Sequence, residues 1–357
     1  MILILGGTTE GRVTVKTADE AGSPYFYSTR DAHQQVDCHH GTRLTGAMDE
    51  EAMEAFCREK EIRLLVDAAH PFAEVLHRTV AVVAERLSLP VVRYERVYPP
   101  RSADIIWCDD YDDAIRRMEA DGVTRLLALT GVQTIGRLRA YWQAHDACIF
   151  RILDLPTSLA LAERQGFPRE RIVYYEPGGD EALLERVRPQ AILTKESGES
   201  GGFIDKVEAA HKLGIAVYAV RRPPMPAGFV TVTGRHGFRK QIERFVPGFF
   251  PLRSGYTTGS CATAAAKAAL MALLTGEEQS EVSYALPDGE VMTLPIAETQ
   301  LGEREATAAV IKDAGDDPDV TNGCKICATV ALRDEEGEGI RFLQGEGVGR
   351  GSLPVLG

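Results

Sequence analysis

The sequence predicts an α/β protein in which two Rossmann-like parallel-sheet domains face a cleft and an α+β domain follows. Three observations support this prediction. Short β-branched apolar segments alternate with helical segments from residue 1 to about 246, as in βα units around a parallel sheet. The alternation restarts near Tyr111, after the proline-containing segment 97–113. Beyond residue 255 the composition changes to an alanine-rich helix and acidic loops.

The predicted strands set the expected domain boundaries. They lie at 2–5, 25–28, 64–66, 91–94, 126–129, 149–153, 172–175, 191–194 and 216–220. We expect domains at 1–105 and 106–246, a linker at 247–254 where prolines and glycines cluster, and a third domain at 255–357. Open α/β sheets bind ligands outside the carboxyl ends of their strands, so the cleft between the first two domains is the expected site.

Composition and charge exclude several classes of protein. The net charge of −12 disfavours nucleic acid and anionic membranes as partners. Residues 253–357 carry 17 acidic and 8 basic side chains, which leaves the preceding part nearly neutral. No stretch reaches the roughly 18 apolar residues of a membrane span, and no basic leader precedes the first strand, so we expect a cytoplasmic protein. The seven scattered cysteines argue against a disulfide framework.

The first motif, MILILGGTTEGR, is a strand that runs into a glycine turn and a helix. Glycines at such a turn let the main chain approach a pyrophosphate, and the helix start supplies N–H groups. The motif is a variant of the dinucleotide fingerprint, and a tight turn without a ligand is the alternative. The expected cofactor contacts here are Gly6, Gly7, Thr8, Glu10 and Gly11.

Arg30 follows the second predicted strand, where such folds contact the cofactor ribose. An arginine there suits a 2′-phosphate and favours NADPH, whereas Asp31 beside it could accept a ribose hydroxyl of NADH. A solvated surface arginine is the remaining alternative.

Three further motifs place polar residues directly after buried strands. LLVDAAHPFA contributes Asp67 and His70, and LLALTG contributes Thr130 and Gly131. For His70 a hydrogen-bonded structural role competes with proton donation.

AILTKESGESGGF contributes Lys195, Glu196, Ser197 and Gly198. A lysine there can hold a phosphate or carboxylate as a point charge, unless it pairs with a neighbouring glutamate on a solvated loop.

Two arginine clusters suit a ligand with several carboxylates. They lie in VVRYERVYPPR, with Arg93, Arg96 and Arg101, and in VYAVRRPPMP, with Arg221 and Arg222. Arginines that are merely exposed on the surface would give the same sequence pattern.

No metal site is expected. Asp313, Asp316, Asp317 and Asp319 are better explained as a solvated acidic turn than as cation ligands. Cys324 and Cys327 form a CxxC without the second ligand pair that structural zinc needs.

In chain order, GGTTEGR, DAAHPFA, RYER, LTG and LTKESGESGGFIDKVEAAHKLGIAVYAVRRP closely resemble the precorrin-6A reductase family, cobalt-precorrin-6A reductases included, across residues 1 to about 246. The resemblance implies hydride transfer from NADPH or NADH to a C=C bond of a polycarboxylate tetrapyrrole of cobalamin biosynthesis. With the motifs above, it implies catalytic roles for His70, Lys195 and Ser197, cofactor contacts at the glycine turn, Arg30, Thr130 and Gly131, and substrate contacts at Asp67, Arg93, Arg96, Glu196, Gly198 and Arg222.

The C-terminal motifs GYTTGSCATAAAKAAL, LPDG, VIKDAGDDPDVTNG and GEGVG resemble the front portion of cobalt-precorrin-5B methyltransferase, an enzyme that uses S-adenosylmethionine. That family continues past GEGVG, so we expect the C-terminal α+β domain to be incomplete and inactive, with S-adenosylmethionine relevant only to a complete domain. The fusion favours cobalt-precorrin-6A as the reductase substrate and other enzymes of the pathway as partners.

Two alternatives remain open at this point. One is another NAD(P)-dependent oxidoreductase or a sugar-nucleotide epimerase, although a Tyr-x-x-x-Lys pair is absent between residues 130 and 200. The other is a dinucleotide-binding module without catalytic activity.

Overall fold

The computed structural model describes residues 1–32, 34–286, 290–332 and 339–347. By their contacts they divide into two compact units, one of residues 1–16 and 24–232 and one of residues 17–23 and 233–357. Among the described helices, none combines the length and apolar character that crossing a bilayer requires.

The first unit contains a parallel sheet built from the start of the chain. Its strands are β1 (Ile2–Leu5), β2 (Tyr25–Thr29), β3 (Gly41–Thr45), β4 (Leu64–Asp67) and β5 (Val91–Tyr94). The connecting helices are α1 (Thr9–Asp19), α2 (Glu50–Glu59) and α3 (Glu74–Leu87). All residues of β1, β4 and β5 are buried, as expected for parallel strands covered on both faces. The Asp49 carboxylate caps α2 by accepting from the main-chain N–H of Ala52 at 2.8 Å.

A second parallel sheet of six strands follows in the same unit. Its strands are β6 (Ile106–Cys108), β7 (Arg125–Ala128), β8 (Ala147–Ile152), β9 (Ile172–Tyr174), β10 (Ala191–Lys195) and β11 (Ala216–Val220). Its helices are α4 (Tyr111–Ala120), α5 (Arg139–Ala144), α6 (Pro156–Arg164), α7 (Asp180–Val187) and α8 (Phe203–Lys212). These two sheets confirm the predicted pair of Rossmann-like layers.

The chain then returns to the first sheet. Strand β12 (Val230–Val232) pairs in parallel with β5 and gives the order β12-β5-β4-β1-β2-β3. This differs from the expectation that 106–246 belongs wholly to the second domain. The physical reason is that β12 covers the otherwise open edge of β5, whose Val91 and Val92 are buried.

Each sheet has one position where the strand order reverses. In the first sheet this position lies between β1 and β4, and in the second, ordered β6-β11-β10-β7-β8-β9, it lies between β7 and β10. A crevice opens at such a point beyond the carboxyl ends of the strands. We call the space beyond β1 and β4 the first crevice and the space beyond β7 and β10 the second crevice.

The second unit is an α+β arrangement, as predicted. It contains α9 (Arg235–Phe245), α10 (Thr258–Thr275), the hairpin of β13 (Glu281–Ala285) and β14 (Val291–Pro295), and the antiparallel strands β15 (Glu298–Leu301), β16 (Glu305–Ile311) and β17 (Lys325–Ala331). Thr257 caps α10 by accepting from the N–H of Ser260 at 3.0 Å. The alanine-rich face of α10 is buried with Ala306 and Ala308 of β16, since small side chains allow close packing.

The acidic turn of this unit is held by ion pairs. Asp313 binds Arg253, and Asp319 binds the buried Lys312. Cys324 and Cys327 are both exposed. Across the described ranges, no cluster of three or more His, Cys, Asp or Glu side chains is arranged for a metal ion. Residues 287–289 of the LPDG motif and the last two residues of GEGVG lie outside the described residues.

Candidate functional site

The glycine turn after β1 packs against a tyrosine. The Tyr27 ring packs so closely that a Cβ atom added at Gly6 would lie 2.3 Å from its hydroxyl, and one at Gly11 would lie 2.7 Å away. The main-chain N–H of Gly7 donates to Tyr27 Oη at 3.0 Å. The glycines therefore allow an aromatic ring to pack against the turn, and the N–H expected to bind a cofactor has a protein partner.

Two more hydrogen bonds connect this turn to neighbouring segments. Gln34 Nε2 donates to the Thr8 carbonyl at 2.6 Å, and Thr8 Oγ1 donates across the strand reversal to the Ala68 carbonyl at 2.7 Å. Arg30, expected at the cofactor ribose, is exposed. The turn therefore packs against Tyr27, and the cofactor contacts expected at Gly6, Gly7, Thr8, Glu10, Gly11 and Arg30 stay predictions.

Glu10 and Arg96 form a buried bridge between the two sheets. Arg96 Nη2 lies 2.9 Å from Glu10 Oε2, and Nη1 donates to the Ser197 carbonyl at 2.7 Å. Ser200 also donates to Glu10. Although burial acts to raise the pKa of Glu10, the Arg96 guanidinium and the Ser200 hydroxyl hold it below its usual value. These two side chains bind each other, and the contacts expected of Glu10 with a cofactor and of Arg96 with a substrate stay predictions.

Asp67 and Arg93, both expected to contact substrate, are buried in a network. Arg93 Nη1 donates to Asp67 Oδ1 at 2.9 Å, and its Nη2 donates to Glu95 Oε1 at 3.2 Å. Burial acts to raise the pKa of Asp67, but His77 and Arg93 lower it below its usual value. Arg93 is only 1% exposed and its donors face protein acceptors, while the substrate contacts expected at Asp67 and Arg93 stay predictions.

Glu196 and Arg222 form a second arginine–carboxylate cluster. Glu196 accepts from Arg101 at 3.0 and 2.9 Å, and from the main-chain N–H of Arg222 at 2.9 Å. The Arg222 guanidinium also lies over the Tyr98 ring, 3.6 Å from its centroid. These groups are engaged with one another and not positioned as free clamps for substrate carboxylates.

The second crevice, in contrast, holds a cavity of about 480 Å³. It is bounded by the loops after β7, β8, β9 and β10, by the start of α8, and by His70 from the first sheet. Lining residues predicted from sequence are His70, Thr130, Gly131, Lys195 and Ser197. The structure therefore brings together all three expected catalytic residues.

The polar wall of this cavity carries both charges, since its lining includes two lysines and one arginine as well as Asp180, Glu199 and Asp205. Burial, then the neighbouring Lys206, lowers the pKa of Lys195 to about 8, and Lys195 Nζ lies 5.4 Å from the centroid of the Phe72 ring. Burial and Arg151 likewise lower the pKa of Lys206 to about 8. Lys206 Nζ donates to the Gly201 carbonyl at 2.7 Å. Because Arg151 pairs with Asp180, Lys195 and Lys206 are the lining cations that can hold an anionic group.

His70 is neutral at physiological pH. Burial and the positive charge of Lys195 lower its pKa to about 2. Its Nδ1 accepts from the main-chain N–H of Phe72 at 3.2 Å, which assigns the ring proton to Nε2. His70 can therefore donate a hydrogen bond to a ligand, but it does not carry an ionisable proton for transfer at pH 7.

A buried hydroxyl also faces the cavity. Thr194 is 1% exposed, and its Oγ1 has no hydrogen-bond partner within the part of the chain that the structure describes. An unpartnered buried hydroxyl is costly, so a ligand group at this position would be stabilising. Thr130, in contrast, shares a 2.6 Å hydrogen bond with Thr134.

The loop between β10 and α8 needs its glycines for close packing. Gly198 has φ of +71°, and a Cβ there would lie 2.9 Å from the Val97 carbonyl. A Cβ at Gly201 would lie 2.5 Å from Ser197 Oγ and 2.9 Å from Arg96 Nη1. These contacts hold the loop so that the N-terminal end of α8 faces the cavity.

Residues 1–239 match the family model described as Precorrin-6x reductase CbiJ/CobK. The chain belongs to the precorrin-6x reductase family. Its fold is similar to a solved structure titled CobK precorrin-6A reductase, with 22% identity and a TM-score of 0.57 over 69% of this chain and 97% of that one. The predicted assignment to reductases of cobalamin biosynthesis is confirmed.

Residues 248–356 match a second family model, described as CbiD. Curated relatives named Cobalt-precorrin-5B C(1)-methyltransferase are 56% identical over 110 residues in Prosthecochloris aestuarii and 50% identical over 105 residues in Geobacillus kaustophilus. The alignments cover 30% and 29% of this chain, and 29% and 28% of those relatives. The chain thus spans less than a third of their length.

Sequence analysis missed several cavity residues of this precorrin-6x reductase. Thr194 lies at the end of β10 and could have been identified from its place before Lys195. Arg151 lies in β8 and pairs with Asp180, whereas Lys206 lies on the buried side of α8. Neither carries a local sequence signal, because only the packing of α8 and β8 directs them to the same cavity.

Proposed function

We propose that this precorrin-6x reductase family member reduces a C=C bond of cobalt-precorrin-6A with NADPH, and that both ligands meet at the second crevice. The observation that carries the proposal is the open cavity there, which joins Lys195, Lys206 and the unpartnered hydroxyl of Thr194. At the glycine turn beside the first crevice, the Gly7 N–H already donates to Tyr27 Oη at 3.0 Å.

The second crevice fits the anionic part of a dinucleotide. Gly201 and Gly202 line the cavity at the start of α8, where the helix dipole favours negative charge, although their N–H groups also donate within the loop to the Gly198 and Glu199 carbonyls at 3.2 and 2.9 Å. Lys206 and Thr194 add a cation and a hydroxyl beside them. When bound, NADPH would supply the hydride. The residues of this chain would hold it, orient it and provide the proton.

Lys195 is the proposed proton donor. Its pKa of about 8 leaves it mostly protonated at neutral pH yet a much stronger acid than an ordinary lysine. His70 is proposed to orient the ligand through Nε2–H, which revises its expected role as a proton source. Ser197 remains a proposed contact, although its hydroxyl also donates to the Gly201 carbonyl at 3.2 Å.

Carboxylates of the macrocycle need cations that are not already engaged in strong pairs. Arg137 meets this condition, because it faces Glu74 only at 3.7 Å and its side chain is 58% exposed. Its charge also lowers the pKa of Lys195, which places it near the cavity. We propose Arg137 in place of Arg93 and Arg96 as a substrate contact.

The methyltransferase-like region is proposed to take no part in this reduction. S-adenosylmethionine enters the proposal only together with the remainder of such an enzyme, since the matched region covers 29% of the relative's length.

The test is anaerobic incubation with cobalt-precorrin-6A and NADPH deuterated at C4, followed by mass spectrometry. We expect a product that has gained one deuterium and one solvent hydrogen. Lys206→Met should raise the KM for NADPH about tenfold, the value of a charge-assisted hydrogen bond. Arg30→Gln is the matched control and should leave it unchanged.

Two results would contradict the proposal. Binding of NADPH without turnover of the tetrapyrrole would indicate a nucleotide-binding module. A raised KM for NADPH in Arg30→Gln, together with an unchanged KM in Lys206→Met, would indicate that the cofactor binds at the first crevice.

A further inference from the structure

Three successive main-chain carbonyl groups after β4 each accept a hydrogen bond from a side chain of a different element. The distances are 2.7, 2.8 and 3.0 Å. The acceptors and donors, in chain order, are Ala68 with Thr8 Oγ1, Ala69 with Arg93 Nη1, and His70 with His77 Nε2. The loop that carries His70 is therefore fixed from three sides.

His77, on α3, holds the last of these carbonyls and is 2% exposed. Its Nδ1 lies 2.6 Å from Asp67 Oδ2, and its Nε2 lies 3.0 Å from the His70 carbonyl. A carbonyl oxygen only accepts hydrogen bonds, and so does an ionised carboxylate. The two distances place an acceptor beside each ring nitrogen of His77.

We infer that His77 is a positioning residue for the reduction, acting through the main chain of His70. The inference rests on the proposed function, because it is the second crevice that the His70 ring faces. The His70 carbonyl is held by His77, while its Nδ1 is held by the N–H of Phe72 at 3.2 Å. With the Ala73 N–H, which also donates to the His70 carbonyl at 2.8 Å, these contacts fix the His70 residue in the cavity lining and leave Nε2–H as the remaining donor of its ring.

Asp67 and Arg93 keep the His77 ring in place. Asp67 uses Oδ2 for His77, and Oδ1 for Arg93 at 2.9 Å and the Ala69 N–H at 3.1 Å. Glu95 in turn accepts from Arg93. Two carboxylates thus hold the Arg93 guanidinium, and one of them also holds the His77 ring. Asp67 and Arg93, which were expected to bind substrate, therefore contribute indirectly, because they orient the loop that carries His70.

Two substitutions distinguish a His77 that positions His70 from a His77 that only stabilises the fold. The amide nitrogen of glutamine replaces Nε2 of histidine, and that of asparagine replaces Nδ1. His77→Gln therefore keeps a donor for the His70 carbonyl and loses the contact with Asp67, whereas His77→Asn does the opposite. Positioning through His70 predicts that His77→Asn lowers kcat about 100-fold, the cost of a misplaced reacting group. His77→Gln should stay within about fivefold of the wild type, and neither should change the KM for NADPH.

The spectroscopic measurement uses ¹⁵N-histidine labelling of the full chain, which contains eight histidines. In the ligand-free wild type at pH 7, we expect both ring nitrogens of His77 to be protonated. His77→Asn should shift the His70 ring signals, and His77→Gln should leave them unchanged. His211→Gln, whose side chain is 35% exposed at the end of α8, is the control for a surface histidine.

A neutral His77 ring in the wild type would overturn the inference. Equal kcat values in His77→Asn and the wild type would do so as well, and so would a larger kcat loss in His77→Gln than in His77→Asn. If one variant fails to fold, the wild-type spectrum and the other variant still decide. Absence of turnover by the wild type would instead refute the proposed function, and it would leave the His77 protonation state measurable.

Discussion

Replacing Lys195 with methionine should abolish reduction and make the protein more stable at neutral pH. The lysine is held in the cavity wall beside the Phe72 ring and close to other cations. Methionine retains most of the apolar stem and removes the charge. The variant therefore tests whether Lys195 supports turnover while lowering the free energy of unfolding.

The magnitude follows from the pKa of Lys195. A decrease from 10.5 to about 8 corresponds to roughly 3 kcal/mol against the charged form in the folded state. Because the side chain is partly exposed and loses its cation–π contact, we expect a net gain of about 1–2 kcal/mol in the free energy of unfolding. The unfolded wild type binds more protons than the folded wild type between about pH 8 and pH 10.5, so its stability rises across that window and the difference disappears above it.

The assay is urea unfolding followed by tryptophan fluorescence at pH 7 and near pH 11. Both tryptophans, Trp107 and Trp142, lie in the second sheet's part of the molecule. Lys212→Met is the control, since that lysine is 65% exposed and pairs with Glu181; because exposed ion pairs contribute little, its removal should leave the stability nearly unchanged. A loss of stability in Lys195→Met at pH 7, or retention of turnover, would refute the reasoning.

Three further predictions concern the same region. The kcat/KM of the wild type should be constant at neutral pH and fall above about pH 8, as Lys195 loses its proton. Lys195→Arg should lower kcat greatly, because a guanidinium does not release its proton; turnover and a pH profile like those of the wild type in that variant would identify a different acid. Thr194→Val should raise the KM for NADPH about fivefold without lowering the urea midpoint, whereas Thr134→Val, whose hydroxyl is bonded to Thr130 and Gly131, should lower the midpoint. Arg96→Met should reduce the free energy of unfolding by about 3–5 kcal/mol, because Glu10 is left buried without its cation, and combining it with Glu10→Gln should recover part of the loss; full additivity of the two changes would show that the pair is not coupled.

Much of the sheet architecture could be predicted from the apolar segments alone. Strands such as β1 and β10 are buried on both faces, so their sequences are continuous apolar runs. Strand β3 was missed because it is an edge strand with polar, partly exposed residues. Strand β12 was missed because a three-residue segment carries too little pattern, and its pairing with β5 depends on contacts distant in sequence.

The candidate site was predictable only in part, because the same residue types serve different physical needs. A glycine pair after β1 predicts that a ligand or a side chain lies close to the main chain, and here the Tyr27 ring does so. Arginines near strand ends predict anion binding, yet Arg93 and Arg96 bind Asp67 and Glu10. The motif after β10 did identify the cavity, since Lys195 and Ser197 line it as expected.

The return of β12 to the first sheet has a consequence for biogenesis. During synthesis, the first sheet stays incomplete until its final strand, Val230–Val232, leaves the ribosome, more than a hundred residues after β5. Until then the edge of β5 is open to wrong partners, including the same edge of another nascent chain. Cutting the gene at the boundary between the two layers would accordingly yield an N-terminal fragment with an exposed, association-prone margin, and only supplying the missing segment in trans would restore it.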